Sequence, residues 1–307
     1  MRIFPAKEGP MPEKADKPSI AIIGAGVVGT TLGVLAARAG YRVVGVAGRN
    51  PDKVRAAAAA IGPDVRADTP GHVAAMGELV FLTVPDDAIA GMCLALAETG
   101  GLCRGACVAH CSGALSSSVL EPARLICHAA VGSMHPLQTF PNVQAGLERF
   151  GGTYCFCEGD EPAVRALMAL ARDIGAKPVR MHAQGKLLYH ASAVLACNYL
   201  TALLDAALAT AEKAGIPRAD AAAALEPLVR STLLNIKSMG PAKALTGPIA
   251  RGDVQLVARQ YHDVAMADSL LGEIYRALGH WAIGLALRKG SIDELKAHQL
   301  TEALTKR

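Results

Sequence analysis

Two groups of residues in this 307-residue chain have the types and spacing to do chemistry: a run of three glycines near the start and a lysine–histidine pair near the middle. Gly24, Gly26 and Gly29 stand in the spacing G-x-G-x-x-G, directly after the apolar run 19–23 and before a small-residue stretch, 30–39, that closes at Gly40. The first glycine allows a tight strand-to-helix turn, and the second lets a pyrophosphate approach the backbone. The third lets the helix pack close to the strand, so that the N–H groups of its first turn, around Val27 and Val28, face the phosphates. A glycine-rich βα turn that binds nothing has the same composition. The strand before and the helix after this one favour dinucleotide binding.

The residues at the end of the second strand choose the nucleotide. An NAD site places a carboxylate there, about 20 residues beyond the glycines, to hold the ribose 2′-hydroxyl. Here the run YRVVGVA ends in Gly48, Arg49 and Asn50. A guanidinium can grip a 2′-phosphate that a carboxylate would repel, so Arg49 points to NADP(H). The competing reading is a solvated loop charge.

Lys186 and His190 are four residues apart and share one face of a helix. Reduction of a carbonyl or imine by hydride leaves a nascent anion that needs a proton, and Lys or His can supply it. Two cations on one face also depress each other's pKa. Asn198, two turns further on, could hydrogen-bond the substrate. The bland alternative is a solvated lysine beside a packed histidine. Three loops leave the carboxyl ends of strands, where ligands of doubly wound sheets lie. The loop holding Thr83, Val84 and Pro85 would pass under the nicotinamide ribose. Ser112 lies in a second loop, either near the nicotinamide or as a helix cap. His135 lies in a third, held extended by Pro136, as a site residue or a satisfied loop histidine. Further on, the Gly/Pro turn 245–253 carries Thr246, Arg251 and Asp253. Arg251 is a candidate anchor for a substrate carboxylate; Asp253 either orients it or caps the next helix.

The elements that must position these residues are legible as a pattern. Buried-strand runs at 19–23, 41–47, 79–84 and 106–110 alternate with helical stretches, a β-α-β-α rhythm that forces parallel strands and right-handed crossovers. Further strands are expected at 125–131, 153–157 and 178–181. From about residue 184 strand-like runs vanish and helices are expected over 186–214, 218–238, 252–288 and 291–305. The fold class is therefore α/β: a Rossmann-type, doubly wound, mainly parallel sheet over 18–183, then an all-α domain over 184–307. Residues 1–17 read as a flexible leader.

Composition excludes other classes. A net charge of +4 with both signs interspersed, and only 4% aromatic residues, argue against a nucleic-acid footprint. The eight cysteines lack paired C-x-x-C spacing, so a zinc site is not expected and free thiols in the cytosol are. The apolar stretch 191–211, interrupted by Asn198, Tyr199 and Asp205, reads as a buried helix and not a membrane span.

Six motifs in order, IIGAGVVG, TVPDDAI, HCSGAL, GSMHPLQTF, KLLYHASAVLACNYL and ALTGPIARGD, resemble those of Rossmann-like proteins that end in a helical domain of unknown function. That family is described only in general terms, as NADP-dependent oxidoreductases. More distantly, the layout is similar to pyrroline-5-carboxylate reductase, ketopantoate reductase and the 3-hydroxyacid dehydrogenases, whose second domain opens with a catalytic K-x-x-x-N. Here Lys186 matches the lysine and His190 stands where the asparagine is expected. The resemblance implies a dimer built largely from the helical domains. Together these readings lead to the expectation of a cytosolic NADPH-dependent reductase of a small, carboxylate-bearing carbonyl or imine, ketopantoate-like reduction included. A non-catalytic NADP(H)-binding sensor and a deazaflavin-linked oxidoreductase are the rivals.

Overall fold

The computed structural model describes residues 17–305. The leader expected over 1–17 lies outside that range except for Lys17, which reaches Asp173 at 2.7 Å and the Ala39 carbonyl at 2.8 Å. The chain divides into two compact units, one running to Val194 and one from Leu195.

The first unit is built on apolar runs whose central strands are covered on both sides. Its strands are β1 (Ile20–Ile23), β2 (Val43–Ala47), β3 (Arg66–Ala67), β4 (Leu79–Leu82), β5 (Cys107–His110), β6 (Ala130–Pro136), β7 (Tyr154–Gly159) and β8 (Lys177–Arg180). They form one sheet in the order β3-β2-β1-β4-β5-β6-β7-β8. The strands β3 to β6 run parallel, β7 pairs antiparallel with β6, and β8 returns parallel to β7. β1 and β4 are buried at every position, as central parallel strands covered on both faces must be. Helices α1 (Val27–Arg38), α2 (Pro51–Ile61), α3 (Pro70–Ala75), α4 (Asp86–Glu98), α5 (Glu121–Cys127), α6 (Val143–Arg149) and α7 (Glu161–Asp173) complete the unit. Leu32, Val54, Ile61 and Leu167 pack one face of the sheet; Val73, Ile89, Leu96 and Ala123 pack the other.

Two strands differ from the sequence reading: β3 is a short edge strand where none is expected, and β6 starts late. Where a strand is expected at 125–131, the chain forms α5, and β6 begins only at Ala130. Pro122 sits in the first turn of α5, and His128, in the left-handed region at φ 55°, ends it. Leu125 and Ile126, which make the run look strand-like, are exposed. As a result His135 lies inside a strand, opposite Phe156 of β7, and not in a loop.

α8 (Lys186–Ala196) leads out of the first unit. The second holds α9 (Asn198–Lys213), α10 (Arg218–Ala244), α11 (Gly247–Ala250), α12 (Val254–Ala267), α13 (Ser269–Lys289) and α14 (Glu294–Ala303). The helix expected over 186–214 breaks at Cys197. The one expected over 252–288 is interrupted at Asp268, whose carboxylate accepts hydrogen bonds from the Leu270 and Leu271 N–H groups and caps α13. A small core of Val257, Tyr261, Ile283, Leu300 and Leu304 holds α12, α13 and α14 together. The stretch 183–213 is long and apolar enough to cross a membrane, with a mean hydropathy of 1.5. Contrary to the expectation of a buried helix, none of its most apolar window is covered by the described residues. α9 contributes no buried residue at all.

Candidate functional site

The glycine turn is assembled by close backbone contacts. Gly24 adopts φ +129° and donates its N–H to Ala47 of β2 at 2.8 Å. A Cβ on Gly24 would meet the Thr83 carbonyl at 2.5 Å, and one on Gly29 would meet the Gly24 oxygen at 2.3 Å. Thr83 seals the turn from the neighbouring strand end, its hydroxyl donating to the Gly24 carbonyl at 2.8 Å. Gly26, by contrast, faces open space: nothing lies within 4 Å of where its Cβ would be. Two glycines are thus demanded by packing within the protein, and the middle one is not. Val27 and Val28 open α1, so their N–H groups belong to its unpaired first turn.

At the end of β2, Asn50 caps α2, its side-chain oxygen accepting from Asp52 and Lys53 N–H. Arg49 is exposed, and its side chain makes no ion pair or hydrogen bond among the described residues. Val84 and Pro85 lead from β4 into α4, Pro85 at the cap position. These groups leave the carboxyl ends of β1, β2 and β4, which are adjacent in the sheet. A backbone cradle at a helix N-terminus with a free guanidinium beyond it fits a dinucleotide carrying a 2′-phosphate.

The loop after β5 is tied down by its own polar groups. His110 is fully buried; its Nδ1 accepts from the Ser112 N–H and its Nε2 lies 3.2 Å from the Ser116 carbonyl. Burial, with the Lys186 charge adding to it, lowers its pKa to about 4. Ser112 donates its hydroxyl proton to Asp86 at 2.7 Å and accepts from the Ala114 and Leu115 N–H groups. Its hydroxyl therefore shapes the turn, and no helix begins there for it to cap.

Lys186, at the first position of α8, is 1% exposed. Its ammonium donates to Ser133 of β6 and lies 3.2 Å from Glu158 of β7. The Glu158 carboxylate, 2% exposed, also accepts from the Ser133 hydroxyl at 2.6 Å and from both the N–H and the hydroxyl of Ser117 at 2.8 Å. Burial alone would raise Glu158; the hydrogen bonds from Ser133 and Ser117 and the ammonium outweigh it and hold the carboxyl below its ordinary range. Burial likewise pulls Lys186 below its usual value, an effect Glu158 opposes. Lys186 is locked into a satisfied ion pair.

His135 and His190 lie on the same two elements as that pair's anchors, β6 and α8. Their rings meet edge to face at 5.8 Å, and His135 Nδ1 lies 2.7 Å from the Tyr189 hydroxyl. Burial, with the charges of His190 and Lys186, lowers His135 to about 4. The sequence points to His190, His135 and the segments that carry Tyr189 and His110, but not to Glu158. For Glu158 the available signal is a carboxylate interrupting the apolar strand YCFCEG.

Asn198, Thr246 and Arg251 belong to the second unit. Asn198 is exposed at the start of α9, and the break at Cys197 separates it from the helix of His190. Thr246 precedes α11 without a side-chain hydrogen bond, and Arg251 follows it, exposed and unpaired among the described residues. Asp253 caps α12 by accepting from the Leu256 N–H.

Comparison with known proteins divides the chain earlier than its compact units do, ahead of β7. Residues 6–136 match the Rossmann-like domain, and residues 153–281 match the domain of unknown function DUF2520. These two domains, in this order, are those of the family that the six sequence motifs resemble. No curated protein matches it significantly. Among solved structures it is similar to an NADP oxidoreductase, so named provisionally, from Bacteroides fragilis, with TM-score 0.68 and 23% identity over 87% of this chain and 98% of that one. Protein TM1727 from Thermotoga maritima gives 0.67 and 24%, over 88% and 99%. A reductive aminase from Aspergillus terreus, solved with NADPH and ethyl-5-oxohexanoate, gives 0.60 and 17%, over 94% and 99%. At these identities the likeness establishes a shared fold.

Proposed function

We propose that the protein is an NADP(H)-dependent oxidoreductase that reduces a small, carboxylate-bearing carbonyl or imine, working as a homodimer through its helical units. The observation that carries this reading is the glycine turn. Gly24 and Gly29 close it against Thr83, while Gly26 opens onto empty space and an Arg49 unpaired among the described residues stands at the end of the next strand. When bound, the nicotinamide would supply a hydride. The first-turn N–H groups of α1 would hold its pyrophosphate and Arg49 its 2′-phosphate. The neighbouring strand ends of β5 and β6 lead to His135 and, across from it, His190, two groups able to hold or move a proton at the reacting atom. Arg251, unpaired in the helical unit, is available to a substrate carboxylate. The provisional name of the Bacteroides fragilis neighbour and the NADPH bound to the Aspergillus terreus enzyme support the cofactor class. Eight cysteines without a disulfide suit a reducing compartment such as the cytosol.

Fluorescence titration of the purified protein with NADPH and then NADH tests the reading. NADPH is expected to bind more tightly, and Arg49→Ala to weaken it by about tenfold or more, as loss of a hydrogen bond to a charged group does, with little change for NADH. Binding of neither nucleotide would overturn the proposal. NADPH binding without turnover of any carbonyl or imine would favour a sensor.

A further inference from the structure

Helix α8 is seated on one face of the β6–β7 pair at two points. Ser133 and His135 are two residues apart on β6 and so face the same way, as do their cross-strand partners Glu158 and Phe156 on β7. Lys186 sets its ammonium on Ser133 and Glu158. Tyr189, three residues further along the same face of α8, packs on Phe156 with ring centroids 4.4 Å apart, and its hydroxyl lies 2.7 Å from His135 Nδ1. The buried ion pair thus fixes how α8 is turned, and that turn brings one hydroxyl to one imidazole nitrogen.

The direction of this hydrogen bond decides what His135 can do. Burial, with the nearby Cys155, raises the Tyr189 pKa, so the phenol keeps its proton. His135 is the partner of that hydroxyl among the described residues. A phenol is a good donor and a poor acceptor, whereas an imidazole lone pair is a strong acceptor, so Tyr189 donates to Nδ1. Burial and the charges of His190 and Lys186, against the weaker pull of Asp86, lower the His135 pKa to about 4 and keep the ring neutral. A neutral ring with its lone pair on Nδ1 carries its proton on Nε2. Nε2 has no partner among the described residues and, unlike His190 Nδ1, is not closed off from solvent.

We propose that Tyr189 is a positioning residue that fixes His135 in the Nε2–H tautomer, and that His135 serves the reaction as a neutral hydrogen-bond donor and takes no proton itself. The second half rests on the reductase reading above; the tautomer does not. Reduced nicotinamide delivers a hydride to the carbon of a C=O or C=N bond, and the π pair moves onto the oxygen or nitrogen. The Nε2–H group steadies the charge that grows there, as an oxyanion-hole donor does, and its N–H bond stays intact. Water then gives the proton that completes the O–H or N–H bond of the product.

Two measurements test the proposal. Long-range 1H–15N NMR of the full chain without nucleotide, at pH 7, should show His135 protonated on Nε2 alone. Tyr189→Phe, which keeps a ring on Phe156 and loses the donor, should show both tautomers. A proton on Nδ1 in the wild type, or an unchanged single tautomer in Tyr189→Phe, overturns the positioning role whether or not nucleotide binds. Kinetics with NADPH use whichever of pyruvate, ethyl 5-oxohexanoate and 1-pyrroline turns over fastest. His135→Gln, whose amide N–H stands in for Nε2–H, should lower kcat by at most about tenfold, and His135→Leu by about 100-fold, the loss expected for one missing donor. Equal losses in the two variants overturn the donor role, because a proton-transfer group would be lost in both. Turnover of none of the three compounds overturns the donor role together with the reductase reading, and the tautomer is then decided by the NMR result.

Discussion

His110 and His135 are the residues whose surroundings most alter their chemistry. Both stand near the buried Lys186 ammonium, and the charge that Glu158 holds in place helps keep both imidazoles neutral. Lys186 therefore contributes to the site through its field and through anchoring the start of α8 to β6 and β7. Breaking such a pair would strand a buried charge, which is why it persists although exchanging both partners for apolar groups often costs little. The neutral histidines make stability depend on pH with a definite sign. In the unfolded chain each imidazole takes up a proton near 6.5, whereas in the folded chain it waits until about 4. Their contribution is complete above pH 6.5 and is lost as pH falls towards 4, at about 3 kcal/mol for each ring. Urea denaturation across that range should show the drop, and His135→Gln should remove roughly half of the histidine part. A midpoint in His135→Gln that follows the wild type throughout would contradict the neutral assignment.

At the scale of elements, the β1–α1 turn separates packing from function among three glycines that look alike in the sequence. Gly29 is hemmed in by the Gly24 carbonyl and the Thr83 hydroxyl, both 2.3 Å from where a Cβ would stand, whereas Gly26 touches nothing. Gly29→Ala is therefore expected to destabilise the protein by about 1–3 kcal/mol, the usual cost of overpacking. Gly26→Ala should leave the melting midpoint nearly unchanged and abolish NADPH binding, because only the pyrophosphate needs that space. Calorimetry of both variants beside nucleotide titration checks the contrast. Equal destabilisation by the two substitutions would mean that Gly26 is structural. The strand β6 shows a different control. Its antiparallel partner β7 brings Glu158 opposite Ser133 and Phe156 opposite His135, so a hairpin-like return supplies the acidic half of the buried pair.

At the scale of the whole molecule, the helical unit carries many large apolar side chains on its surface. Leu195, Tyr199, Leu228, Leu234 and Trp281 are each more than half exposed. Between α9, α10, α12 and α13 lies an apolar groove of about 870 Å³, lined by Leu203, Leu225, Val264, Leu271, Ile274 and Leu278. The dimer proposed above would cover these faces. Sedimentation equilibrium is expected to give a dimer at micromolar concentration, and Leu203→Glu with Leu278→Glu to give a monomer that keeps its helical circular dichroism. A monomeric wild type would rule this out and leave the uncovered faces to another partner.

The sequence by itself determined the central parallel strands, the glycine turn and the helical second half. Those features rest on local periodicity: continuous apolar runs for buried parallel strands, fixed glycine offsets for the turn, and the loss of strand-like runs after residue 184. It also supplied Lys186, His190 and His135 as candidates, since residue type and helical spacing are local facts. The breaks at Cys197 and Asp268 and the late start of β6 escaped it, because apolar character continues across them and only capping and exposure mark the change. Only the tertiary structure decided what the candidates do. Glu158 meets Lys186 across 28 residues, and Tyr189 meets His135 across 54. Pairings at that distance follow from how the sheet is threaded, and no spacing within a single helix or strand encodes them. Whether a lysine is a solvated acid or half of a buried ion pair is thus settled by what the fold places opposite it.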